Sequence, residues 1–134
     1  MRNNRKRFER IVSTPGNVCE FGCNNSELFE CIKIARKNNP NKGVCVVRNW
    51  MILDCIYGDV PGSRIGRDNK TLSLLYGGNV LFDCPQRFTV GRRILTSPLV
   101  SLERPGFFIT NETVYLLVGQ GSRKKIKSRT IGFE

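Results

Sequence analysis

Cys19, Cys23 and Cys31 come nearest to a metal-binding spacing in this chain. One Cys-x3-Cys pair and a third thiol eight residues on could supply three thiolates, with Cys45, Cys55 or Cys84 as a fourth. A structural zinc site usually shows two tight pairs, and here there is one loose pair. The chain also contains no histidine. Whether these thiols bind metal or pair is left open by the sequence, and no metal or cofactor enters the predicted site.

The absence of histidine bears on catalysis too. It removes the usual general base near neutral pH and the usual serine or cysteine triad. Asp54, Asp83, Glu103 and Glu112 are the acids nearest apolar runs. Asp54 and Asp83 each end or interrupt a strand-like segment, so the two could converge for metal-assisted phosphoryl chemistry. Acids at strand ends are more often solvated or paired with arginine, so the expectation is a protein that is not an enzyme. Residues 62–67 lack the Lys-Ser/Thr end of a phosphate loop. Gly119-Gln120-Gly121-Ser122 could hold a phosphate on backbone amides, but a plain turn after a strand explains those glycines as well.

Charge is the stronger signal. With 22 Lys and Arg against 11 Asp and Glu, the 134-residue chain carries a net charge of +11. That favours contact with polyanions. The cations cluster at residues 2–10, 33–42, 92–93 and 123–129. The predicted binding residues are Arg36, Lys37, Lys42, Arg92, Arg93, Arg123, Lys124, Lys125, Lys127 and Arg129. Two or more clusters on one face would form a footprint for phosphates, with Trp50, Tyr57, Tyr76 or Phe88 adding stacking where exposed. No zinc finger or RNP aromatic motif is present, so the expected contact is to the backbone and sensitive to salt. Neutralising residues 123–127 is expected to weaken binding and leave stability nearly unchanged.

The elements that must position these residues can be read from pattern. A composition 40% hydrophobic and 25% charged is that of a folded globular chain. Residues 1–18 read as a basic arm and residues 19–134 as one domain. Asn24 followed by Glu27 suggests a capping box, and Leu28, Cys31, Ile32 and Ala35 lie on one helical face, ending before Pro40. Residues 43–57 read as one or two strands covered on both faces, with Trp50 as a core anchor. Residues 58–70 are the most loop-like interior stretch. Gly77-Gly78, between residues 72–76 and 79–83, reads as a two-residue hairpin. Residues 94–102 and 107–118 form two apolar runs. The second breaks at Thr110-Asn111-Glu112 and ends in Thr113-Val114-Tyr115-Leu116-Leu117-Val118, the expected centre of the core. The tail from Gly119 onward has the pattern of one more edge strand. Short Gly/Pro turns favour hairpins, so the expected fold is α+β: a single antiparallel sheet of about five to seven strands with one main helix packed on it. No apolar run approaches a membrane span and none follows the basic start, so a cytoplasmic protein without membrane contact is expected.

Val47-Arg48-Asn49-Trp50 with Leu53-Asp54, and the series Phe88, Gly91, Thr96-Ser97-Pro98-Leu99-Val100, Phe108, Thr110, Asn111, Thr113-Val114-Tyr115, Leu117, Gly119, Gly121 and Arg123-Lys124, resemble a family of small uncharacterised proteins from proteobacteria and their phages. The resemblance covers about residues 44–125. Asn49 stands where that family has an aspartate, and the cysteine-rich start and basic character depart from it. The resemblance implies a phage, prophage or bacterial accessory protein and carries over no site. Together with the charge, it leads to an expected partner: nucleic acid or a host nucleoprotein complex, with a block on a defence system such as CRISPR as one form. Two alternatives stay open: an inhibitor docking on an acidic host protein, and a small histidine-free nuclease.

Overall fold

A computed structural model describes residues 9–14, 16–57 and 70–127. Among them are eight strands: β1 (Asn17–Cys19), β2 (Gly43–Tyr57), β3 (Lys70–Cys84), β4 (Ile94–Leu95), β5 (Ser101–Glu103), β6 (Phe107–Ile109), β7 (Thr113–Leu117) and β8 (Gly121–Lys127). A 3-10 turn at Asn25–Glu27 leads into the helix α1 (Leu28–Asn38), and residues 9–13 are also helical. Residues 58–69 of the stretch expected to be loop-like, 58–70, lie outside the described residues, and Lys70 opens β3.

The sheet is mixed and curls into a half-barrel, which corrects the expected single antiparallel sheet with one main helix. Long β2 is the reason. One of its edges pairs with antiparallel β3 along nearly its whole length, from Val44↔Cys84 to Tyr57↔Lys70. The other edge takes two parallel partners in succession, β7 at Gly43–Val47 and β8 at Met51–Ile56. Hairpin logic applied to neighbouring segments has no access to such pairings, because they join residues about 70 apart in sequence.

The change of partner has a visible local cause. Asn49 lies in the left-handed region at φ 54°, which shifts the alternation of β2. Cys45 and Val47 before it, and Trp50 and Ile52 after it, share one face. Val44 and Val46 before it, and Met51, Leu53 and Cys55 after it, share the other. Gly77 and Gly78 are strand residues, which corrects the expected hairpin. Gly78 faces Asn49, whose carbonyl oxygen would stand 2.6 Å from a Cβ there, so the glycine makes room for the kink. The jog from Val118 to Gly121 carries the chain from β7 to β8. Trp50, only 2% exposed, fills it: its ring lies against Gly121 and its Nε1 donates to the Gly119 oxygen at 3.2 Å. Burying an indole of about 200 Å² contributes roughly 5 kcal/mol as an upper figure.

Three apolar clusters follow. On one face α1 places Cys31 and Ala35 on Val44, Val46, Val114 and Leu116. On the same face, beyond the kink, Ile11 of the N-terminal helical turn covers Met51, Leu53, Cys55, Leu74 and Ile126. The opposite face holds Val47, Trp50, Ile52, Leu75, Phe108, Tyr115 and Leu117. All five residues of β7 are buried, so the expected core centre stands. β8 runs between β1 and β2 at Gly121–Arg123, so it is an edge strand, as expected, only beyond that point. No helix among the described residues is long and apolar enough to cross a membrane.

Candidate functional site

The two candidate aspartates do not converge. Asp83 pairs with Cys45 on β2, nine positions from Asp54, a separation of about 30 Å along the strand. Each is locked to an arginine. Asp54, 6% exposed, accepts from Arg123 Nε at 2.7 Å, Arg123 Nη2 at 3.1 Å and Ser73 Oγ at 2.6 Å. Burial pushes its carboxyl upward, but the hydrogen bonds from Arg123 and Ser73 and the charges of Arg123 and Lys125 outweigh it and hold the group below its usual range. Asp83 accepts from Arg87 Nη2 at 2.7 Å and from the backbone N–H groups of Arg87 and Phe88 at 2.7 and 2.9 Å. Arg87 Nη1 donates to Thr113 Oγ1 at 2.6 Å, tying the segment after β3 to β7. Both acids are fully engaged in joining elements.

The thiols are also divided. Cys23 and Cys31 sit together under α1, whereas Cys19 packs into the cluster on the opposite face. Burial first, and the neighbouring Cys31 next, push the Cys23 thiol up to about 12. The glycine segment after β7 is tied into the fold as well. Gly119 N donates to the Cys23 oxygen at 2.9 Å, and its carbonyl is taken by Trp50.

The predicted cations separate into three places. Arg123 is consumed by Asp54. Lys124 Nζ donates to the carbonyls of Ile11 and Thr14, both at 2.8 Å, and so holds the N-terminal helical turn to β8. Lys125 is exposed beside them, at the rim of a cleft of about 560 Å³. The Lys127 side chain and Arg129 lie outside the described residues. Arg92 and Arg93 are exposed in a turn on the far edge of β3, where Arg92 O accepts from Val80 N at 2.9 Å. Lys42 lies about 40 Å along β2 from the level of Lys125, so the clusters do not merge into one face.

The third place is the outer side of α1. Cys31 and Ala35 turn inward, which directs Phe29, Lys33, Arg36 and Lys37 outward at i, i+4, i+7 and i+8. Phe29 is 80% exposed. Beyond the start of the helix, exposed Arg48 brings Nη2 to 3.5 Å from Asn25 Oδ1. Beyond its end, Lys42 Nζ is fixed by the Thr110 oxygen at 2.6 Å and borders, with Arg36, a cleft of about 420 Å³. Three cations and a phenyl ring thus line about 12 Å of the helix, with Arg48 beyond its start and Lys42 beyond its end. Glu30 approaches Lys33 at 3.5 Å with both side chains exposed, a contact too weak to neutralise the strip.

Sequence reasoning found Arg36, Lys37 and Lys42 here, put Lys33 in their charge cluster but not among the binding residues, and missed Phe29 and Arg48. Phe29 was legible as an aromatic outside the apolar helical face, and Arg48 as a cation inside an apolar strand. The aromatics expected to stack are elsewhere. Trp50 is buried, Phe88 packs against the core under the Arg87 guanidinium, and Tyr76 is half-buried. The Tyr57 side chain lies outside the described residues.

Residues 20–132 match the model of a domain of unknown function, DUF6957. No curated protein and no solved structure matches the sequence. The chain belongs to the DUF6957 family.

Proposed function

From a family to which no activity is attached, we propose a non-enzymatic nucleic-acid-binding protein that takes the phosphate backbone, free or within a nucleoprotein complex, on the outer side of α1. The observation that carries this reading is the strip of Lys33, Arg36, Lys37, Lys42 and Arg48 around an exposed ring. Three of these cations meet no buried acid among the described residues and point outward from one helix. Arg123 is excluded because Asp54 neutralises it, and Lys124 because two carbonyls hold it on the N-terminal turn, whereas Lys42 gives one N–H to Thr110 and keeps two. Arg92 and Arg93 are a separate exposed pair.

Backbone binding by four or five cations implies a logarithmic salt slope of about −3 for a single strand, roughly 0.7 per phosphate. The test is fluorescence anisotropy of a short labelled oligonucleotide over a salt series, with R36Q/K37Q and R92Q/R93Q compared with wild type. R36Q/K37Q should weaken binding and flatten the slope by about 1.4. R92Q/R93Q should stay close to wild type. Binding without salt dependence, or a R36Q/K37Q protein that binds like wild type, overturns the assignment.

A further inference from the structure

We infer that the strand taken on α1 is unpaired and that Phe29 is the platform on which one of its bases stacks; this rests on the nucleic-acid reading above. Among the described residues, Phe29 has the highest exposure of the large hydrophobic side chains, 80%, ahead of Val90, Val18 and Val100 at 60–68%. It is also the aromatic one of these, with a flat face to offer. Among the described residues the fold does not need it there, because Leu28 and Ile32 already supply the partly buried flank of the helix and Cys31 and Ala35 its core face.

Its neighbours give the ring a polyanion's environment. Lys33 lies one turn further on and Arg36 two turns, about 10 Å along the axis. On the other side, Arg48 stands against Asn25 in the preceding turn. A stacked base has a phosphate on each side, and the ring has cations on each side. A duplex keeps its bases inside the stack and shows a convex helix only backbone and groove edges, so the ring would meet no base face. An unpaired strand offers a π-face at every nucleotide. The strip's length matches the shortest single-strand sites, about four nucleotides. An acidic peptide could meet the cations but has no flat face for the phenyl ring, unless it is aromatic itself.

The test compares wild type, F29A, F29W and R36Q/K37Q on unpaired oligo-dT and oligo-rU, on a duplex of equal length and on polyglutamate. Because Phe29 is so exposed, F29A should melt with wild type. The expected result is unpaired strands bound about 10-fold more tightly than duplex, with F29A losing about 10-fold on the unpaired strands alone. F29W should keep wild-type affinity, and its added emission should quench as the strand binds. If duplex and unpaired strands bind equally and F29A binds as wild type, while R36Q/K37Q is still weakened, the stacking inference falls and the nucleic-acid reading stands. If polyglutamate binds more tightly than any nucleic acid, or nothing binds, both fall.

Discussion

Replacing Asp54 with asparagine and Arg123 with glutamine should destabilise the protein unequally, and the size of each loss follows from what is left behind. Two unit charges about 4 Å apart attract by roughly 4 kcal/mol at the effective dielectric of a partly buried site. Desolvation of the carboxylate cancels much of that, and water screens the pair because the Arg123 side chain is 41% exposed. In D54N the arginine can turn to solvent and Ser73 can still donate to the amide oxygen, so the expected cost is about 1–2 kcal/mol, or about 3–8 °C in Tm for a chain of this size. In R123Q the carboxylate stays behind, buried and short of its charge partner. The expected cost there is about 3 kcal/mol. Acidity separates this ion pair from simple packing. The Asp54 carboxyl is held below its ordinary value of 3.8, so its contribution is full above that value and is lost as pH falls through the folded one. Urea unfolding at pH 7 and below pH 4 should therefore show the gap between wild type and D54N closing on acidification. A D54N protein as stable as wild type at pH 7, a constant gap across pH, or R123Q milder than D54N would refute the reasoning.

Gly121→Ala should cost about 3 kcal/mol or prevent folding, because the new methyl group would enter the Trp50 ring; a melting curve like that of wild type would show that the jog can widen. The thiols of Cys23 and Cys45 are pushed up to about 12 and that of Cys55 to about 11, in each case mainly by burial. Stability from these groups is full below the unfolded value near 9 and is lost as pH rises through 11–12. The urea midpoint should therefore fall above pH 9. In the native state at pH 8, iodoacetamide should reach half-buried Cys19 and Cys84 well before the buried four, and equal labelling rates by mass spectrometry would contradict that burial.

What the sequence disclosed divides by range. Residues 113–118 and the Leu28, Cys31, Ile32, Ala35 face were legible because burial imposes local periodicities, and both lie where those periodicities place them. The capping box was legible in part: Asn24 Nδ2 reaches Glu27 Oε1 at 3.1 Å, but neither the Asn24 nor the Glu27 side chain caps a helix N–H group. Gly77-Gly78 misled because glycine serves close approach as readily as a turn, and the residue that needs the space, Asn49, lies on another strand. The parallel pairings of β2 left no local trace at all. The site divides in the same way. Charge found Arg36, Lys37 and Lys42, but charge could not distinguish a cation facing solvent from Arg123 or Lys124, whose partners lie 69 and more than 100 residues away.

Hydrogen exchange on the protein with and without an unpaired oligonucleotide would test directly whether α1 is the binding surface. Binding on α1 should slow exchange over residues 25–42 and around Arg48, with little change over residues 89–95 and 121–127. Protection confined to residues 121–127 or 89–95, with α1 exchanging as in the free protein, would contradict it.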